Sequence, residues 1–195
     1  MTTVYYCAAS LDGYIAESDD TIDWLTGYEG SVDLPGGLEP SPMIPGGAYE
    51  RFYDGIGALV SGSVTYEFVL GHTQPGAAWP YSGKPYWVLS SRELALPEGV
   101  AAGEVQVVSK GAGDLIDELR VAAGERDIWI IGGGNVASQF ADEGLLDELH
   151  VTVVPVVLGE GKPLFDRRLA GAPLELLGTT VFGNGMVELR YARQD

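Results

Sequence analysis

The sequence predicts an α/β protein: a mostly parallel sheet whose C-terminal edge is antiparallel. Three observations predict it. Over the first two-thirds of the chain, five short apolar runs alternate with helix-like segments or loops. Two of those runs end in glycine and pass at once into a helix-like segment. The last three runs lie close together, and the final two flank Gly183-Asn184-Gly185, a hairpin signal. Alternation with helices argues for parallel pairing, and the hairpin for antiparallel pairing.

Taken in order, TVYYCAA (3–9) is β-branched and aromatic and reads as a buried strand. Ser10-Leu11-Asp12-Gly13 breaks it, residues 14–16 resume it briefly, and 22–25 read as an apolar anchor in a loop. Residues 26–47 are rich in Gly and Pro. A connection of this length reads either as a binding loop or lid, or as a surface insertion. Aromatics at 49, 52 and 53 give residues 48–56 one apolar helical face. A strand at 58–61 closes in Gly62-Ser63, and a helix at 64–70 follows, with Ser63 or Thr65 near its start. Residues 72–84 form a loop, 85–90 a third strand and 105–109 a fourth. Residues 114–123 form an amphipathic helix that Asp114 is placed to cap. The fifth strand leads into the glycines at 132–134, and a helix is expected over 135–146. A long strand at 150–158 contains Pro155, which points to a sheet edge or a bulge. Residues 159–163 read as a loop, and 174–182 and 186–191 as the hairpin strands.

The composition narrows the function. A chain of 195 residues fits one domain with a real core. The net charge of -17 argues against a nucleic-acid partner, since phosphate backbones are held by Lys and Arg. The single Cys7 excludes an internal disulfide, which suits a reducing, cytoplasmic setting. No basic leader and no apolar run near ~20 residues appears, so no membrane partner is expected. His72 and His150 lack Cys or carboxylate companions at ligand spacing, and no metal site is expected.

The stretch DIWIIGGGN (127–135) carries the most chemistry. Glycine lets backbone N–H groups approach an anion, and a helix start adds positive partial charge. The corner therefore reads as a phosphate site, or as a glycine-rich turn and nothing more. Residues 62–65 repeat the pattern.

Several motifs, in order, cover nearly the whole chain: SLDGYIA (10–16), IDWL (22–25), SGSVTYE (61–67), WVLSS (87–91), IWIIGGG (128–134), LLDELHVTVVPVVLGEGKPLF (145–165) and the closing hairpin. In these the chain resembles the dihydrofolate reductase superfamily. It is closer to the branch that holds the reductase domain of bacterial riboflavin biosynthesis and its stand-alone relatives. The resemblance implies a central, mostly parallel eight-stranded sheet with helices on both faces. It implies NADPH across the carboxyl ends of the strands, and hydride transfer to a small pteridine-like or ribityl-pyrimidine-like substrate. It also implies a homodimer.

Carried onto this sequence, the resemblance gives Gly132, Gly133, Gly134, Asn135 and Val136 the pyrophosphate, through backbone N–H groups. Gly62, Ser63 and Thr65 form the second corner, but Ser63 stands where relatives usually carry an arginine. Arg92, after Ser90 and Ser91, is then a candidate for the 2′-phosphate or an exposed loop arginine, and NADH use stays open. Ala9 and Ile15 would touch the nicotinamide, or serve only in packing. Trp24 and Thr152 would line the substrate pocket, with ordinary packing and strand propensity as the alternatives. The proton donor is open among Glu50, Glu29 and Asp12. Each also reads as a solvent-facing or turn residue. Riboflavin-pathway reductases often carry Glu where Gly132 stands, which leans away from that substrate. The reading is an NAD(P)H-dependent reductase; the alternative is a non-catalytic nucleotide- or ligand-binding relative.

Overall fold

β1 (Thr3–Ser10) is the strand from which the sheet is built outward. The computed structural model of the chain describes residues 1–28, 48–169, 173–182 and 185–194. Glu29 and nearly all of the Gly/Pro-rich stretch at 26–47 lie outside them. In chain order there follow β2 (Tyr14–Ala16), α1 (Asp23–Thr26), α2 (Ala48–Gly55), β3 (Ile56–Gly62) and α3 (Ser63–His72). Then come β4 (Tyr86–Leu89), β5 (Val105–Val108), α4 (Ala112–Ala123), β6 (Asp127–Gly132) and α5 (Gly134–Asp142). The chain closes with β7 (Glu148–Val154), β8 (Lys162–Pro163), β9 (Glu175–Val181) and β10 (Val187–Ala192).

The main sheet has eight strands in the order β5-β4-β3-β6-β1-β7-β10-β9. Every neighbouring pair from β5 to β7 is parallel. β10 runs antiparallel to both β7 and β9. This is the mostly parallel sheet with an antiparallel C-terminal edge that the sequence pattern predicts, with the eight strands that the resemblance to the dihydrofolate reductase superfamily implies. β6 sits between β3 and β1, so its glycine end opens at the middle of the sheet, where ligands of open α/β folds are held.

Alternation along each strand feeds two cores. On one face Tyr5, Ala9, Val60, Ile128 and Ile130 pack against Leu115 and Leu119 of α4 and Val136 and Phe140 of α5. Leu115, Ile116 and Leu119 recur at helical spacing and are at most 5% exposed, worth about 1.5–3 kcal/mol each. On the other face Val4, Tyr6, Leu59, Tyr86 and Trp129 pack against Phe52 and Tyr53 of α2 and Tyr66 and Val69 of α3.

Five local expectations are corrected. The anchor at 22–25 is the short helix α1, not a loop. Residues 162–163 are not loop but pair with β2 in a small antiparallel ribbon. α4 starts earlier, at Ala112 with Gly111 as its N-cap. Asp114 sits inside the first turn, where it complements the helix dipole instead of capping. α5 stops at Asp142, not 146. Gly144 adopts a left-handed φ of 71°, Leu145 N–H bonds to Phe140 O (2.8 Å) and Gly144 N–H to Ala141 O (3.1 Å), a Schellman stop. β7 ends at Val154, one residue short of Pro155. β7 is an interior strand paired on both sides, so a residue without an N–H is excluded from it.

Candidate active site

Two glycine corners meet where β3 and β6 end. α5 starts from Gly133 in extended conformation, with no side-chain cap and no acid in its first turn. α3 starts in the same way from Gly62. The peptide between Gly132 and Gly133 is cis. A Cβ built on Gly132 would lie 3.1 Å from Thr65 Oγ1. One on Gly133 would lie 3.8 Å from Ile15 Cδ1, and one on Gly62 3.3 Å from Val136 Cγ2. The fold thus gathers Ile15, Gly62, Thr65, Gly132, Gly133 and Val136 from three separate stretches of sequence. Two helix starts with no side-chain cap and no acid in the first turn leave backbone N–H groups that suit an anion such as a pyrophosphate. The residues present fit such a group.

Around this cradle the other expected residues divide. Val136 N–H already bonds to Gly133 O (3.0 Å), which leaves the earlier amides of α5 for a ligand. Gly134 has no room for a side chain, since a Cβ would meet Pro163 O at 2.6 Å and Leu164 O at 2.7 Å. The Asn135 amide donates to Asp166 Oδ2 (2.6 Å). The Arg167 guanidinium beside Asp166 is the main reason that its carboxyl is held well below the usual range. Ser63 is half-buried at the second corner, and Ser90, Ser91 and Arg92 follow the carboxyl end of β4. Arg92 is paired with Glu67 of α3 through both guanidinium nitrogens, at 3.1 and 2.6 Å.

The mouth between β1 and β2 is held by Asp12. Its carboxylate accepts from Ser10 Oγ (2.7 Å), Leu158 N–H (3.1 Å) and Gly159 N–H (2.7 Å). The Ser10 hydroxyl bond foremost, with the two backbone bonds, lowers its pKa to about 2. Ala9 is buried in the α4/α5-side core. Glu50 is exposed in the first turn of α2.

The opposite sheet face carries a second constellation. Trp24 packs near Val154, Phe182 and Met186, and its indole N–H is buried without a partner among the described residues. Thr152 is buried on β7 and its Oγ1 makes no short hydrogen bond among the described residues. Thr152 pairs with Glu188 of β10, and its neighbour His150 pairs with Tyr6 of β1. Paired residues share a sheet face, so Tyr6, His150, Thr152 and Glu188 lie together. Phe52 and Trp129 wall this face, with ring centroids 4.7 and 6.3 Å from Tyr6. Burial raises the Tyr6 phenol well above its usual range, and the Glu188 charge adds to the shift. His150 Nε2 contacts Glu148 Oε2 at 2.8 Å.

The family model for the RibD C-terminal domain matches residues 73–188, more than half of the chain. The chain belongs to that family. It is similar to YwjB, an uncharacterized protein of Bacillus subtilis, at 35% identity over 98% of this chain and 97% of YwjB. A structure from Shewanella sp. PV-4, described as a candidate riboflavin biosynthesis protein, superposes over the full length of both chains with a TM-score of 0.76 at 29% identity. Dihydrofolate reductase from Enterococcus faecalis, solved with NADP(H), covers 100% of this chain and 97% of its own, with a TM-score of 0.57 at 19% identity. That last likeness is one of fold.

The segment matched to the RibD C-terminal domain takes in residues 90–92, 132–136 and 152, and it ends at Glu188. Glu188 is the functional candidate that sequence reasoning missed. Its sequence signal was weak: Glu188 is one acid in a short strand of mixed apolar and charged residues, and only its pairing with Thr152 singles it out.

Proposed function

We propose that this RibD C-terminal domain protein is an NAD(P)H-dependent reductase acting on a small pteridine-like or ribityl-pyrimidine-like substrate, in the cytoplasm and as a homodimer. The observation that carries it is the paired, uncapped glycine corners at the ends of β3 and β6. When bound, the dinucleotide supplies a hydride from its reduced nicotinamide to a C=N or C=O carbon. Gly132, Gly133 and the first amides of α5 hold its pyrophosphate, with Gly62, Ser63 and Thr65 across the crevice. Ile15 closes over the corner, and Ala9 backs the nicotinamide end of β1. Trp24, Phe52, Trp129 and Thr152 hold the flat ring of the substrate.

The proton then passes to the substrate nitrogen or oxygen from an acid on the β7/β10 face, and Glu188 holds that place. Glu50 is exposed, and Asp12 is committed to three hydrogen bonds that keep it ionised. A donor must lie within reach of the atom it protonates, and Glu188 shares a sheet face with Thr152. The non-catalytic reading is favoured by one feature, Ser63 in place of an arginine.

The test is a titration of the protein with NADPH and NADH, read by tryptophan fluorescence. Saturation at micromolar concentration is expected. Gly133→Asp has room for its Cβ but sets a carboxylate against the pyrophosphate, and weakens binding by at least about tenfold. Glu188→Gln leaves nucleotide affinity within about twofold and lowers kcat on a dihydropterin or ribityl-pyrimidine substrate by about 10²-fold. Failure of folded protein to bind either nucleotide sinks the reductase reading.

A further inference from the structure

Arg92 follows the carboxyl end of β4, beside the second glycine corner, and it is already engaged. Its guanidinium grips both carboxylate oxygens of Glu67 at 3.1 and 2.6 Å. Glu67 lies one turn beyond Ser63 on α3, so the pair stands at the second glycine corner. The surrounding loop is fixed to that helix. Arg92 N–H bonds to Ser90 Oγ (3.0 Å), and the hydroxyl of the fully buried Tyr66 bonds to Ala95 O (2.6 Å). The Tyr66 bond thus ties the loop that carries Arg92 to α3.

We propose that Glu67 sets the choice between the two dinucleotides by occupying Arg92, so that the 2′-phosphate which marks NADPH finds its cation taken and a carboxylate beside it; this rests on the dinucleotide reading above. The planar fork that binds a carboxylate bidentately is the same surface that would bind a phosphate, so the two are exclusive. The competition is graded. The Arg92 and Glu67 side chains are 56% and 44% exposed, and water screens such pairs. The chain therefore binds NADH at least as tightly as NADPH.

Dissociation constants for NADH and NADPH, measured by calorimetry at low salt, test this on the wild type and two variants. Glu67→Gln shifts the NADPH:NADH affinity ratio toward NADPH by about three- to tenfold. Adding Arg92→Ala to that variant returns the ratio to within about twofold of wild type, since the gain runs through the arginine. An unchanged ratio in Glu67→Gln overturns the proposal. So does a gain that survives loss of Arg92, which would show simple removal of negative charge. Circular dichroism confirms that each variant is folded. No binding of either nucleotide by the wild type overturns both this and the reductase reading, whereas tight binding with a ratio that Glu67→Gln leaves unchanged, or a wild type that prefers NADPH, overturns this alone.

Discussion

Both carboxylate oxygens of Asp12 face backbone N–H groups of Leu158 and Gly159, 146 and 147 residues away in sequence. The bonds need the ionised form. Folding lowers the pKa from 3.8 to about 2, so the contribution to stability is present above about pH 4 and is lost as pH falls through 2. Asp12→Asn puts an amide donor against an N–H donor. Its urea midpoint is lower than wild type at pH 6, and the gap closes as pH approaches 2; a gap that stays constant would exclude the clamp. From the sequence Asp12 read as a turn residue with a catalytic acid as the alternative, because its partners lie on a loop that only tertiary structure brings near. Glu188 was hidden for the same reason. It pairs with Thr152, whose strand sets His150 beside Tyr6, and no local pattern reports register between residues 36 and 144 apart.

At the level of elements, the corners were legible because each is contiguous: an apolar run, a glycine, a helix start. That they interlock, with Thr65 against Gly132 and Ile15 against Gly133, was not. The end of α5 was overrun because Leu145 and Leu146 continue the apolar pattern past Gly144, the residue that stops the helix. The start of the same helix depends on a small residue. Carbonyls of Pro163 and Leu164 lie 2.6 and 2.7 Å from where a Gly134 side chain would begin. Leu164 is itself tied to Gly13 O through its N–H (2.9 Å). Gly134→Ala must push that loop away and costs about 1–3 kcal/mol in denaturant unfolding. A smaller loss would mean that the loop yields freely.

For the whole molecule, β9 is the sheet's outer edge and carries Leu176, Leu177 and Val181 at 53%, 44% and 43% exposure. An apolar edge strand is an open template for pairing, which natural proteins generally cover. In the proposed homodimer a second copy covers it. Light scattering should give about twice 20.7 kDa, and Leu176→Lys with Val181→Lys should give the single mass. A monomeric wild type would remove the homodimer from the reading. Among the described residues no helix is long and apolar enough to cross a membrane.

The placement of β6 between β3 and β1 has a consequence for how the molecule is made. Both flanking strands are synthesised earlier, and β6 must enter the gap between them after α4. Pairings of such sequence separation are slow to close. Until β6 is seated the chain has one glycine corner and no partner for it. A nascent or truncated chain ending before Gly134 therefore has half a cradle. If the chain binds a dinucleotide as proposed, the first moment of binding in a refolding experiment would mark the insertion of this central strand, making the ligand a clock for the assembly of the sheet.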